Sequence, residues 1–261
     1  IVEPKPEMEG WGTPVFLAWT TTPWTLPSNT ALCVGPKIDY VAARTYNGYT
    51  GEKITAVLAE PLLYTHFNKK AEGIALEDYK PGDKLIPFEV VGRWKGPELV
   101  GMHYEQLIQW VKPVELDENG EWQNAEAKAF RVIPGDYVTV EDGTGIVHIA
   151  PTFGADDAFV ARQAGIPSLF MINKRGETRP MVDFAGKFFL TEEMAVLFHV
   201  DAQIFEDFKF CLDFLFSFNA QEATLKEIHN TNRTHCLIQL FRIHCDYLVR
   251  TDFSAKTNIT I

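Results

Sequence analysis

Two stretches of the chain hold side chains whose types and spacing could do chemistry. The first, WTTTPWTLPSN, runs from Trp19 to Asn29 and places three threonines between two tryptophans, just ahead of a proline-rich turn. In an extended segment alternate residues face opposite sides, so Thr20 and Thr22 share one face and Thr21 takes the other. Pro23 then ends regular pairing. Hydroxyls both donate and accept, and beside freed backbone N–H groups they could hold a hydroxyl-rich ligand or a water. Threonine is also a good strand former whose hydroxyl caps turns, and the residues alone leave both readings open.

The second stretch is EDGTGIVHIAPTFGADDAF, Glu141 to Phe159. A glycine-rich turn leads into a strand carrying His148, Pro151 ends that strand, and a loop of small residues delivers Asp156 and Asp157 to a helix start. A helix N-terminus favours carboxylates through its dipole and free N–H groups, which accounts for one aspartate as an N-cap. The other is left to bind a cation such as a substrate ammonium. His148, among apolar neighbours, fits either a hydrogen-bonded core residue or a catalytic group.

The elements that must position these residues are mostly strands. Short β-branched and aromatic runs punctuated by Gly, Pro, Asp and Asn recur before residue 190: PVFLAWT, TALCVG, YVAARTY, KITAVLA, KLIPFEVVGRW, AFRVIPG, YVTV, GIVHIA and SLFMIN. That spacing predicts a mainly β, α+β domain, closed on itself or folded as packed sheets, with several helices. Apolar spacing near 3.6 predicts helices over 58–66, 103–111 and 156–164, the last stopping at Gly165-Ile166-Pro167.

Composition narrows the partners. With 24 Lys and Arg against 35 Asp and Glu the net charge is −11, which argues against a broad nucleic-acid surface, because backbone binding is driven by cationic side chains displacing counterions. Any RNA contact should be narrow. No apolar run approaches the roughly 18 residues of a membrane span and no basic leader opens the chain, so a cytoplasmic setting with no membrane partner is expected. Cys33, Cys211, Cys236 and Cys245 have no CxxC spacing, so reduced thiols are expected rather than a disulfide framework. The chain opens Ile-Val-Glu without an initiator Met, and is expected to be a segment of something longer.

Together the two stretches, in this order and about 120 residues apart, resemble the editing insertion (connective peptide 1) of class I aminoacyl-tRNA synthetases, in its isoleucyl form. The resemblance extends through GPELVGMHYEQL and FRVIPGDYVTVEDGTG and covers nearly all of residues 10–190. Valyl and leucyl relatives usually continue their Thr-rich strand as Arg-Pro, whereas WTTTPWTLP is typical of the isoleucine form. The resemblance implies a β-barrel-like editing domain over 1–190. It also implies hydrolysis of valine wrongly esterified to isoleucine tRNA, in a site separate from the one that makes the ester.

The physical need for such a site is a limit on binding. A pocket built for isoleucine rejects a side chain one methylene smaller by only ~1–3 kcal/mol, a limit for which this same pair of amino acids in this same synthetase is the usual illustration. A second site that isoleucine cannot enter supplies the rest. The family pattern assigns Thr20, Thr21 and Thr22 to the wall around the terminal adenosine and the aminoacyl ester. Asn29 and His148 are placed near the ester and its attacking water. Asp157 matches the aspartate that binds the substrate α-ammonium, with Asp156 its neighbour. An aminoacyl ester is already activated, so a positioned water and charge stabilisation suffice without a covalent intermediate. The expected partners are the 3′ CCA end of the mischarged tRNA and the catalytic domain of the parent enzyme. Trp19, Trp24, Tyr104 and Trp110 are available to stack on a terminal base, or to fill the core.

Two departures matter. The chain lacks the HIGH and KMSKS signatures, so ATP-dependent activation belongs to the absent catalytic domain and editing itself is expected to need no cofactor. From Leu190 onward Gly and Pro vanish, and Phe, Ile, Asn and Thr crowd the sequence. Translation in a shifted reading frame or a lineage-specific insertion would each give such a tail over 191–261, and Thr191 to about Phe216 reads as a helix. His229, His235, Cys236, His244 and Cys245 suggest zinc at first sight, but their spacings fit no ligand pattern and no metal is expected. Two readings compete with the enzyme: a noncatalytic module that binds tRNA or another synthetase domain, and a truncated fragment with no independent role.

Overall fold

A computed structural model of the chain describes residues 1–20, 23–109, 111–172, 175, 177–179, 249–252 and 256–260. Its strands are β1 (Thr13–Thr20), β2 (Ala31–Val34), β3 (Asp39–Tyr46), β4 (Lys53–Ala59), β5 (Glu89–Lys95), β6 (Val114–Leu116), β7 (Trp122–Asn124), β8 (Arg131–Pro134), β9 (Ile146–Ile149), β10 (Met171–Ile172), β11 (Thr178–Arg179), β12 (Val249–Asp252) and β13 (Lys256–Thr260). The helices are α1 (Leu63–His66), α2 (Gly96–Leu99) and α3 (Ala155–Gln163), with several 3-10 turns between. The architecture is mainly β, and its centre is one large sheet in the order β5-β3-β4-β1-β9-β2-β8, with β13 on β1 and β12 on β13.

The two faces of this curled sheet are covered differently. Phe16, Ala18, Leu32, Val34, Tyr40, Ala42, Val57, Val132 and Ile146 alternate onto one shared face and form the largest apolar cluster. The opposite face is covered in two separate places. Val15, Leu17, Val41, Ala43, Ala56 and Leu58 pack under the segment carrying Leu63, Ala71 and Phe88. Ala31, Cys33, Ile133 and Ile149 pack under α3 through Ala161. Cover on both faces explains why β4 is buried at every position from Ile54 to Ala59, all apolar but Thr55, rather than alternating.

Tyr40 fixes one end of the arrangement. Its hydroxyl accepts from Gly35 N at 2.8 Å and donates to the Gly145 carbonyl at 2.7 Å, tying the loop after β2 to the turn that launches β9. β9 runs antiparallel to β2, with Leu32 opposite His148 and Ala31 opposite Ile149. It meets β1 in parallel at the Trp19–Val147 pair.

Several local expectations differ from what is found. Over 58–66 the strand β4 persists to Ala59, and Pro61 opens a 3-10 turn before the single turn of α1, because Val57 and Leu58 are held in the β3 ladder. Over 103–111 no helix is found among the described residues. His103 bridges to Arg131, Tyr104 N donates to the Phe130 carbonyl, and the Gln106 amide donates to the Ile108 and Val111 carbonyls, so the apolar residues are spaced by pinning against β8. YVTV forms no strand, and KLIPFEVVGRW becomes one only from Glu89. The helix expected over 156–164 is α3. In the tail, the described residues form β12 and β13, and the helix expected from Thr191 to Phe216 lies outside the described residues.

Candidate functional site

Alternation along β1 puts Thr20 on the face already occupied by Phe16 and Ala18, and alternation along β9 puts His148 on the face of Ile146. Thr20 and His148 each follow directly on the Trp19–Val147 pair, so both sit where the main apolar cluster runs out at the C-terminal ends of two neighbouring strands. Thr20 is buried, as is His148. Asn29 arrives from the other direction. The 3-10 turn Pro23–Ser28 returns the chain, Asn29 N donates to the Leu26 carbonyl at 3.0 Å, and Thr30 N donates to the Ile149 carbonyl at 3.0 Å, starting β2 beside the end of β9.

The side chains at this junction form a buried chain of hydrogen bonds. The Tyr104 hydroxyl donates to Asn29 Oδ1 at 2.6 Å. Asn29 Nδ2 donates to the Ala31 carbonyl at 2.9 Å and lies 3.3 Å from His148 Nδ1. His148 Nε2 lies 2.9 Å from Thr25 Oγ1. A carbonyl can only accept, so the amide nitrogen must face Ala31 and a second N–H points at the ring. Nδ1 is then the acceptor, the ring proton sits on Nε2, and Nε2–H donates to Thr25 Oγ1. Burial pushes the imidazole down to about 4, in keeping with a ring that stays neutral. With both nitrogens engaged by the protein, His148 is a fixed wall of the site rather than a free base.

Asp156 and Asp157 stand in the first turn of α3, and the N-cap position belongs to Gly154, not to either aspartate as the sequence suggested. Asp157 Oδ2 accepts from Ala150 N at 2.8 Å, two residues beyond His148 along the same strand end. Burial raises the Asp157 carboxyl above the usual range, the Ala150 N–H opposes this, and the Asp156 charge adds to it. Asp157 is half-buried and Asp156 is exposed. A partly desolvated carboxylate with one oxygen committed to the backbone suits an ammonium better than a proton-transfer role.

The structure thus joins Asn29 and His148 directly, with Thr20 on the neighbouring strand end and Asp157 tied to the end of β9 through Ala150 N. Thr21, Thr22 and Trp110 lie outside the described residues, as do His229, His235, Cys236, His244 and Cys245. Of Trp24 only the backbone, in the 3-10 turn, is described. Trp19 is half-buried and covers Gly143, where a Cβ would approach its ring to 3.1 Å at a φ of +71°. Tyr104 is buried with 3% exposure, which removes it as a stacking platform and makes it the donor to Asn29. Thr25 was not singled out from the sequence. Its signal was its place in the same motif, four residues before Asn29, where a hydroxyl can meet a histidine from a distant strand. Cys33 is a buried free thiol that burial pushes up to about 11, which keeps it protonated and unreactive.

No family model matches the chain. Curated relatives do. The isoleucine–tRNA ligase of Bacteroides thetaiotaomicron is 75% identical over 191 residues, which is 73% of this chain and 16% of that protein. The isoleucine–tRNA ligase of Porphyromonas gingivalis is 54% identical over 210 residues, 79% of this chain and 17% of that protein. Among solved structures, the P. falciparum cytosolic leucyl-tRNA synthetase editing domain aligns with a TM-score of 0.41 at 13% identity, covering 88% of this chain and 76% of that one. Motifs and relatives together define a segment of a class I aminoacyl-tRNA synthetase. The chain spans about a sixth of the length of the curated relatives it matches. It belongs to the isoleucyl-tRNA synthetase family, in the stretch that forms the family's editing domain.

Proposed function

We propose that this segment hydrolyses valine mistakenly esterified to isoleucine tRNA, by attack of water on the aminoacyl ester. The observation that supports the reading is the Asn29–His148 pair at the end of β9, beside the end of β1 that carries Thr20 and with Asp157 bound to the next backbone N–H, that of Ala150. Asp157 holds the substrate α-ammonium. Thr20, with Thr21 and Thr22 following it in sequence, walls the ester and the terminal ribose, while Asn29 and His148 complete a polar, rigid surface near the attacked carbonyl. No side chain acts as a nucleophile, and the rate comes from placing water and ester within reach in a partly dry site. Trp19, Trp24 and Asp156 flank the entering CCA end.

This reading needs no cofactor for editing, and assigns ATP use and isoleucine ligation to the catalytic domain of a longer cytoplasmic parent enzyme. With a net charge of −11, the segment is suited to admit only the single-stranded 3′ end of the tRNA. The test is deacylation of valyl-tRNA and isoleucyl-tRNA, both charged on the isoleucine acceptor, by this chain and by Asp157→Ala. Valine release well above isoleucine release, reduced in Asp157→Ala, is expected. Equal hydrolysis of the two esters by the parent chain would sink the assignment.

A further inference from the structure

We propose that Tyr104 is a positioning residue for this site: its hydroxyl, held in place by Phe130, anchors the Asn29 amide oxygen and, together with the Ala31 carbonyl on the nitrogen, fixes the single ring tautomer of His148. The inference rests on the reading of the junction as a deacylation site. Tyr104 donates to Asn29 Oδ1 at 2.6 Å while the Ala31 carbonyl, which can only accept, takes an N–H from Nδ2 at 2.9 Å, so the amide is held in one orientation from both sides. Oδ1 facing Tyr104 forces Nδ2 toward Ala31 and His148, which leaves Nδ1 as acceptor and Nε2–H as donor to Thr25. Were the amide reversed, its oxygen would face the Ala31 carbonyl, two acceptors in contact.

What holds Tyr104 is a second observation. Phe130 has a φ of +53° and is the one non-glycine residue in the left-handed region among the described residues. A bulky side chain there is strained and persists only where its surroundings over-determine it. Here they do: Phe130 N donates to the Thr30 carbonyl at 2.7 Å, and the Phe130 carbonyl accepts from Tyr104 N at 2.9 Å. The strained residue therefore couples the backbone next to Asn29 to the backbone of Tyr104. The Phe130 ring also meets the Tyr104 ring edge-on, with centroids 6.1 Å apart at 75°. Segments 29–30, 104 and 130 are locked as one unit, and the phenol is delivered to Oδ1 by that lock.

The test uses the 261-residue chain and Tyr104→Phe, which keeps the ring against Phe130 and removes only the hydroxyl. Long-range proton–nitrogen spectra of the imidazole distinguish a protonated from an unprotonated ring nitrogen. The parent chain should show His148 as one species protonated at Nε2, and Tyr104→Phe should admit a minor Nδ1-protonated species, because the Ala31 carbonyl alone then holds the amide. Deacylation of valyl-tRNA by Tyr104→Phe should fall about 10- to 100-fold, mostly in kcat with KM held, since the ammonium anchor is untouched. In an Asn29→Ala background the same substitution should change the rate less than about 2-fold, because the hydroxyl then has nothing to orient. A parent ring protonated at Nδ1, or a Tyr104→Phe spectrum identical to the parent, overturns the proposal. If the parent chain releases no valine, the deacylation reading fails while the spectra still decide the role of Tyr104.

Discussion

His148→Gln should change how stability depends on pH more than it changes stability at pH 7. The imidazole lies 7% exposed between Asn29 and Thr25, and burial pushes it down to about 4 from an ordinary 6.5. A base whose folded value is depressed contributes stability that is present above its unfolded value and lost as pH falls toward its folded one. The loss therefore begins near 6.5, where the unfolded chain takes up a proton, and is complete near 4, where the folded protein does so too. At ~1.4 kcal/mol per pH unit over that window the full loss is ~3 kcal/mol, with about 2 kcal/mol gone by roughly pH 5. Glutamine does not titrate, yet can still donate to Thr25 and accept from Asn29. Urea unfolding of both chains at intervals between about pH 7 and pH 4 isolates the term, since the remaining carboxylates titrate alike in both and cancel. Wild-type stability should fall relative to the variant by the amounts given. A difference that stays flat over this range would mean that His148 is solvated or charged in the folded protein, and the neutral-tautomer argument for the site would fall with it.

Asp157→Asn keeps an acceptor for Ala150 N–H and removes a carboxylate that burial disfavours, so the melting temperature at neutral pH should hold or rise. Because the Asp157 value is raised in the folded state, the cost it imposes grows as pH rises through its titration, and the asparagine chain should lack that trend in a pH series of melts. Deacylation of valyl-tRNA by the same variant should drop about 30- to 100-fold, the worth of a hydrogen bond to a charged ammonium, read as kcat/KM. Thr25→Val leaves the buried Nε2–H of His148 without its acceptor and should cost ~1–3 kcal/mol in urea unfolding. Thr22→Trp, argued from the sequence motif, should fill the wall and abolish valine release while circular dichroism and melting temperature remain unchanged.

The strands that build the site were legible because their apolar runs end at residues that cannot continue them. TALCVG stops at Gly35, KITAVLA at Pro61 after Ala59, and GIVHIA at Pro151. The helix bearing Asp157 was legible for the same reason, through Gly154 before it and Gly165 after it. The 103–111 segment misled because a periodicity near 3.6 records only which residues are buried, and here they are buried by cross-links to β8 and by the Gln106 side chain. The β6–β7 hairpin escaped notice because three-residue strands as polar as Trp122-Gln123-Asn124 carry no usable alternation. Asn29 and His148 could each be flagged by type. Their pairing could not, because two residues 119 positions apart are brought together only by the β2–β9 register. Tyr104 could be read as a core residue or a stacking platform, and its burial settles for the core, but nothing local to HYEQ shows that its hydroxyl is aimed at Asn29.

On the proposed deacylation reading, the arrangement would let the site sort side chains by a single methylene. An extra methylene gains about 0.8 kcal/mol on burial, so a wall that yields for less than that cannot exclude it. The wall here is not held by packing alone. Displacing Asn29 or His148 breaks one of the bonds from Tyr104 to Asn29, from Asn29 to His148, or from His148 to Thr25, and strands a buried polar group. Each such loss costs ~1–3 kcal/mol, at or above what the larger side chain could gain by pushing. Apolar residues in these positions could yield by off-rotamer shifts of about 0.5–1.5 kcal/mol, comparable with that gain. A saturated polar chain, braced at Phe130, sets the stiffness of the wall above the energy of the difference it would have to detect.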